Sequence, residues 1–241
     1  MENASYIALS RQIAVQRNLD IVANNIANAN TTGFKAQNML FEEFLLDDHR
    51  SKVDDFDMVN DYGQYTNTSN GDIQMTGNDF DLALQGDALF RVTTPQGDRY
   101  TRAGSFQLNE IGEIVTHDGF PLTTATNAPI RVPIDTTSVK ITKDGAVYAD
   151  GDQVGQIALF DFDSYEDLLQ TGENLYSSEK APTASTTTNV IQGGLESSNV
   201  SPILEMTQLI SLSRTHESAQ NMIKLEHERI RGAIKILGNA S

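Results

Sequence analysis

Apolar residues recur at every seventh position near the start of the chain. Ala8, Val15, Val22 and Ala29 form one series, Ile7, Ala14 and Ile21 a second, and Leu19 with Ile26 a third. Together they draw a stripe along one helical face. No Pro or Gly interrupts it before Gly33. The pattern predicts a helix over residues 3–29, about 40 Å long at 1.5 Å per residue. Thr31, Thr32 and Gly33 supply its stop. The theme returns over residues 199–238. Leu209, Leu212, His216, Ala219, Ile223, Glu226, Ile230, Ala233 and Leu237 alternate in steps of three and four. They make a heptad seam broken by His216 and Glu226. Asn199 or Ser201 is placed to cap this second helix, with Pro202 tolerated in its first turn.

Between the helices the period changes from seven to two. Asp81-Leu82-Ala83-Leu84, Leu89-Phe90-Arg91-Val92, Arg99-Tyr100-Thr101 and Ser105-Phe106-Gln107-Leu108 are short alternating runs. Gly-containing turns separate them at Gln96-Gly97-Asp98, Ile111-Gly112, Asp118-Gly119 and Asp144-Gly145. Such runs predict an antiparallel β-domain. Residues 163–171 carry caps for a short helix. Residues 36–70 are acidic and ambiguous: Met39 to Leu46 reads as a possible continuation of helix, and Tyr62 to Asn70 as irregular.

The expected class is therefore α+β, with long N- and C-terminal helices paired as a coiled coil and a central antiparallel β-rich domain. Residues 1–35 and 199–241 make the helix pair, 36–75 and 181–198 connect, and 76–180 form a β-rich outer body. A two-helix pair alone buries too little to be stable. The ends are thus expected to order on assembly.

Charge follows the same division. The formal net charge is −16, but residues 36–198 carry nine basic and 27 acidic groups, a net −18, while each helical end stands near +1. Nucleic acid is an unsuitable partner for so acidic a body. The near-neutral ends can pack without strong repulsion, and the body reads as a solvated face. The absence of cysteine excludes disulfides and thiol chemistry. Residues 1–4 show no signal-peptide pattern, and no apolar run reaches the ~20 residues that span a bilayer. Export without a cleaved signal and no membrane insertion are the corresponding expectations.

Candidate chemistry adds little. His216-Glu217 begins a zinc-binding HExxH pattern, but position 220 is Gln, so the second ligand is missing. His49, His117 and His227 make no metal-spaced pair. The acidic pairs at 47–48 and 54–55 and Asp150-Gly151-Asp152 lack the calcium loop's full ligand set. No phosphate-binding glycine loop or nucleophile elbow occurs. No catalytic, cofactor or metal site is expected.

The run Val22-Ala23-Asn24-Asn25-Ile26-Ala27-Asn28-Ala29-Asn30-Thr31-Thr32-Gly33-Phe34-Lys35 resembles the signature of the flagellar rod and hook protein family. Thr76 to Gly86 resembles that family's TGN element, Tyr100-Thr101-Arg102-Ala103-Gly104-Ser105-Phe106 its YTR element, and Gln192 to Val200 its QG-x-LE-x-SNV element. One departure stands out: Gly86-Asp87-Ala88-Leu89-Phe90 replaces the usual Gly-x-Gly-Phe-Phe. Within the family the opening Tyr6 to Gln12 and the compact length look most like proximal rod proteins, with distal rod proteins the close alternative.

The resemblance implies a non-enzymatic subunit that leaves by the flagellum's own type III export apparatus. It would polymerise in the periplasm with copies of itself and neighbouring rod proteins, inside possible surrounding ring proteins, and carry torque. It assigns Ile7, Val15, Val22, Ile26, Leu209, Leu212, Ile223 and Ile230 to helix packing within and between subunits. Asn24, Asn25, Asn28 and Phe34 become candidates for the subunit joint, since side-chain amides donate and accept at once. Gly33 permits a positive φ there. The rivals from other classes are a secreted enzyme with a β-body and a binding module or adhesin with helical stalks. Neither predicts apolar-striped helices at both ends.

Overall fold

The computed structural model describes residues 2–46, 56–162, 164–172 and 174–238. The acidic pairs at 47–48 and 54–55 lie outside the described residues, as do the side chains of Ile7 and Ile230. Two α-helices stand at the ends: α1, Glu2–Ala27, and α2, Pro202–Gly238. The chain divides into two compact units.

The first unit comprises residues 1–27, 37–65 and 201–241. Besides the helices it holds a two-stranded sheet of Gln37–Leu46 and Phe56–Thr66. The stretch from Met39 to Leu46 is thus strand, not helix. Its partner lies well beyond a helical turn in sequence, where local periodicity carries no information about pairing. Helix α1 stops at Ala27, two residues short of the predicted end. There the backbone N–H of Thr31 donates to the Asn28 carbonyl at 3.0 Å, and the Thr31 hydroxyl donates to Asn28 Oδ1 at 3.2 Å. These bonds turn the chain out of the helix.

The α+β class holds, but the coiled coil is corrected. A coiled coil hides its seam as knobs in holes. Here Leu209, Leu212, His216, Ala219 and Ile223 are only half-buried, and α2 buries none of its described side chains. Helix α1 does bury Ala14, Ile21, Val22 and Asn25. Asn25, however, is engaged by the strand that follows. Its Nδ2 donates to the Gln37 carbonyl at 2.8 Å, and its Oδ1 accepts the Gln37 N–H at 3.0 Å. Polar His216 at a seam position further deprives α2 of a continuous apolar edge.

The second unit comprises residues 28–36 and 66–200. A six-stranded antiparallel sheet runs in the order Leu168–Gly172, Leu175–Ser178, Gly97–Thr101, Leu89–Thr94, Leu159–Asp161, Thr183–Ala184. Period-two alternation gives it two covered faces. Phe90, Val92, Leu159 and Leu175 enter the larger core, with Leu82, Phe106, Ile114, Leu122 and Val147. Leu89, Tyr100, Phe160 and Tyr176 enter the smaller one, with Leu168. The helix predicted over 163–171 is a single 3₁₀ turn at Tyr165–Asp167, because Leu168 passes straight into the edge strand. Short sheets complete the unit. Asn189–Gln192 pairs with Leu82–Gln85, Gly194–Glu196 with Ile73–Met75, and Phe106–Leu108 with Ile114–Thr116.

Candidate functional site

Within the second unit the segment 33–36 lies alongside residues 196–199. The Gly33 N–H donates to the Glu196 carbonyl at 2.8 Å, and the Asn199 N–H donates to the Phe34 carbonyl at 3.3 Å. The Ala36 N–H donates to Asn199 Oδ1 at 2.7 Å. Phe34 packs with Ala36 and Val200 in a small core of its own. Gly33 takes φ 67°, and a Cβ there would stand 2.5 Å from the Arg102 carbonyl carbon. Only glycine lets the chain lie this close. Gly104 is tighter still, since its Cβ would fall 1.6 Å from the Leu82 carbonyl oxygen.

This close packing encloses an ionic node. Glu196 Oε1 accepts from Lys35 Nζ at 2.7 Å and from the Gly71 N–H at 3.1 Å, while Oε2 accepts from Arg102 Nε at 2.5 Å. All three side chains are 1–2 % exposed. Lys35 also donates to the Ser69 carbonyl at 2.9 Å and to Asn70 Oδ1 at 3.1 Å. The Arg102 guanidinium donates to the carbonyls of Leu84 at 3.0 Å and Gly86 at 2.6 Å, and to that of Ala88. Buried charges persist only when so paired. Burial pulls the Lys35 ammonium below its ordinary pKa, against the hydrogen bond and charge of Glu196. The node holds no nucleophile–base arrangement. It acts as a clamp that fastens the segment after α1 to the segment before α2.

The Gly-to-Ala departure sits beside this clamp. Ala88 is fully buried, needs no positive φ, and offers its carbonyl to Arg102. The local turn therefore accepts a Cβ at this position.

The first unit presents a different feature. At about 100° per residue, the half-buried Leu209, Leu212, His216, Ala219 and Ile223 share one side of α2. Ile203, Ile210 and Leu225 fall on the opposite side, and Met206 beside them. All four are exposed, Ile203 at 75 % and Leu225 at 67 %. On α1, Leu9 and Ile13 are exposed as well. Between Ile210 and Leu225 the same side carries Arg214, Glu217 and Asn221, so the apolar cluster is Ile203, Met206 and Ile210 at the start of α2, and Leu225 stands apart.

The residues expected at subunit contacts are distributed as follows. Val22 and Asn25 are buried within the first unit, where Asn25 Nδ2 also approaches Glu205 Oε2 at 3.4 Å. Val15, Ile26, Leu209, Leu212 and Ile223 are half-buried. Asn24 is exposed and lines a pocket with Arg17, Asp20, Ile21, Gln37 and Gln64. Asn28 is half-buried in the turn after α1. Gly33 and Phe34 are enclosed in the second unit. The pattern reading passed over Lys35, Arg102 and Glu196 as site residues, although each stands as a charge inside a turn-forming motif. It also passed over the outward cluster Ile203, Met206 and Ile210 at the start of α2, visible as apolar residues at non-seam positions.

Comparison with known proteins brings these features together. Residues 6–35 match the flagella basal body rod protein family. Residues 83–149 match the flagellar hook protein FlgE/F/G D1 domain, and residues 191–236 the flagellar basal body rod FlgEFG protein C-terminal family. Each match supplies one member of the node: Lys35, Arg102 and Glu196. Over its whole length the chain is 36 % identical to all of the flagellar basal-body rod protein FlgF of Mesorhizobium japonicum. It is 39 % identical to FlgF of Caulobacter vibrioides, with 99 % of each chain covered. The flagellar basal-body rod protein FlgG of Bacillus subtilis is 31 % identical over 98 % of this chain and 99 % of its own.

The chain belongs to the flagellar basal-body rod protein family.

Membership makes it a structural component of the basal-body rod that assembles with other rod proteins. The node then reads as the clamp of a rod subunit.

Proposed function

We propose that the chain is a subunit of the proximal rod that adds helically to the growing structure and transmits torque from the rotor to the hook and filament. The supporting observation is the exposed apolar cluster Ile203, Met206 and Ile210 at the start of α2, turned away from the half-buried face of that helix. Burial against neighbouring copies removes that surface from water at roughly 25 cal/mol per Å². An interface of this kind is heterologous and non-closing, which generates a helix of subunits instead of a closed ring. Full-length similarity to FlgF proteins favours the proximal position. The distal position is the second reading, supported by the FlgG resemblance.

Val15, Val22, Ile26, Leu209, Leu212 and Ile223 serve packing within the helical unit, with Ile7 and Ile230 on the same seams in sequence. Asn24 and Asn28 are the candidates for the joint between subunits. Gly33 and Phe34 act on it indirectly, by holding the segment after α1. Export through the flagellar apparatus without signal cleavage, assembly in the periplasm and passage through ring proteins complete the reading. The test is a strain lacking the gene, complemented with a tagged copy. The tag should appear in purified basal bodies, and motility should return with the wild-type chain and not with Ile210→Asp. A tag that stays out of basal bodies in a motile strain contradicts the proposal.

A further inference from the structure

The β unit carries an exposed apolar knob built on a rigid turn. Asn109 Oδ1 accepts the N–H groups of Ile111 at 3.1 Å and Glu113 at 2.8 Å, and Asn109 Nδ2 donates to Glu113 Oε2 at 3.2 Å. The Gly112 N–H closes the turn on the Asn109 carbonyl at 3.0 Å. Turns of this kind favour small polar residues. Here Ile111 stands at the tip, 60 % exposed. Ile134, 75 % exposed, lies beside it: a Cβ built on Gly112 would be 3.7 Å from its Cγ1. Leu108 is exposed at the foot of the same turn. Around this knob stand Glu110, Glu113 and Asp135, against Arg131, which is paired with Glu113 at 2.9 Å. The knob is therefore apolar at its centre and acidic at its rim.

At the other end of the same hairpin is a pocket of about 460 Å³. Phe120 and Leu175 give it apolar walls, and Thr94, Gln96 and Thr171 its polar lining. Among the described residues Arg99 is the one charged residue that lines it. The strand Ile114–Thr116 separates the two features, about 10 Å at the usual rise per residue. The knob turn lies before that strand. The turn from Thr116 to Phe120, where the Thr116 N–H donates to the Phe120 carbonyl at 2.9 Å, lies after it. A knob at one end and a pocket at the other cannot meet within one chain.

We infer that the pocket receives the Ile111–Ile134 knob of a second copy of this chain, so that β units join head to tail, with Arg99 facing the partner's acidic rim. The occupant follows from complementarity on both counts, apolar to apolar and acid to base. Such a contact is heterologous and repeats without closing. The net −18 of residues 36–198 opposes it between free chains. It therefore forms only where the terminal helices already hold copies at high effective concentration. The inference rests on the reading of the chain as a rod subunit.

The chain lacks cysteine, so engineered thiols report the contact cleanly. Chains carrying Ile111→Cys and Gln96→Cys together are expressed in place of the wild type, basal bodies are purified and oxidised, and products are separated without reductant. A ladder of cross-linked copies is expected from the double variant and none from either single variant. Adding Arg99→Glu to the double variant lowers the cross-linked fraction about tenfold, the equivalent of ~1.4 kcal/mol. Incorporated chains that give no ladder, or whose Ile111→Cys thiol links only to a different protein, overturn the inference and leave the rod reading standing. If the chain is missing from basal bodies altogether, both fall.

Discussion

Lys35 and Glu196 stand 161 positions apart in the chain, and their side chains meet at 2.7 Å almost out of reach of water. Arg102 completes the set from a third region. One carboxylate thus answers two cations, and backbone carbonyls and Asn70 Oδ1 take up further N–H donors. The segments 33–36 and 196–199 are thus fastened to each other inside the β unit.

Glu196→Gln should leave Lys35 and Arg102 buried without their counter-charge. Breaking a buried pair from one side costs about 3–5 kcal/mol. Urea unfolding of the purified chain, followed on the β unit's signal, should show a loss of that order. A loss below ~1 kcal/mol would mean that water or a rearrangement replaces the carboxylate.

Gly104→Ala tests close packing without touching charge. Its methyl group would collide with the Leu82 carbonyl oxygen, a backbone atom with little room to yield. Overpacking of this kind costs about 1–3 kcal/mol. Gly33→Ala adds the strain of a positive φ to a similar collision. Both should lower the melting temperature, whereas Gly119→Ala, where nothing lies within 4 Å, meets only the strain of its φ of 88°.

Alkaline pH should loosen the β unit. Burial raises the pKa of Tyr165 and Tyr176, the latter to about 12 from an ordinary 10. A phenol raised in the folded state contributes stability that is fully present below pH 10 and is lost as pH climbs toward 12. Lys35 has the opposite sign. Its lowered pKa makes folding more favourable as pH rises toward 10.5, so its effect lies mainly on the near side of the tyrosine window. Unfolding free energies should therefore fall between about pH 10.5 and 12, with Tyr176→Phe removing up to ~2 kcal/mol of the decline. A Tyr176→Phe variant with an unchanged slope would place the loss elsewhere.

Asn25→Ala removes an amide that pairs with both the N–H and the carbonyl of Gln37. Leaving those backbone groups unsatisfied should cost about 1–3 kcal/mol in the helical unit. Hydrogen exchange at Gln37 and along the strand it begins should speed up, and the β unit should stay protected. Uniform protection in both units would count against this role.

The helices were legible because heptad spacing is a local signal, and their existence and class followed from it. Their mode of packing was not. The half-buried face of α2 depends on how much α1 and the strands beside it cover, and spacing does not report coverage. Met39 to Leu46 shows the same limit, since the segment pairs with a strand that local pattern does not reveal. The node was half visible. Lys35, Arg102 and Glu196 each sat in a recognised motif, but their meeting depends on sheet topology that joins residues 35, 102 and 196. The exposed Ile203, Ile210 and Leu225 were visible as apolar letters, yet their outward direction required knowing which side of α2 faces its own unit.

Electron cryomicroscopy of purified basal bodies tests the rod assignment most directly. Density for this chain should lie in the rod, with Ile203, Met206 and Ile210 of α2 pressed against neighbouring subunits and its layer deciding between proximal and distal positions. Basal bodies complete in every layer but empty of this chain would contradict it.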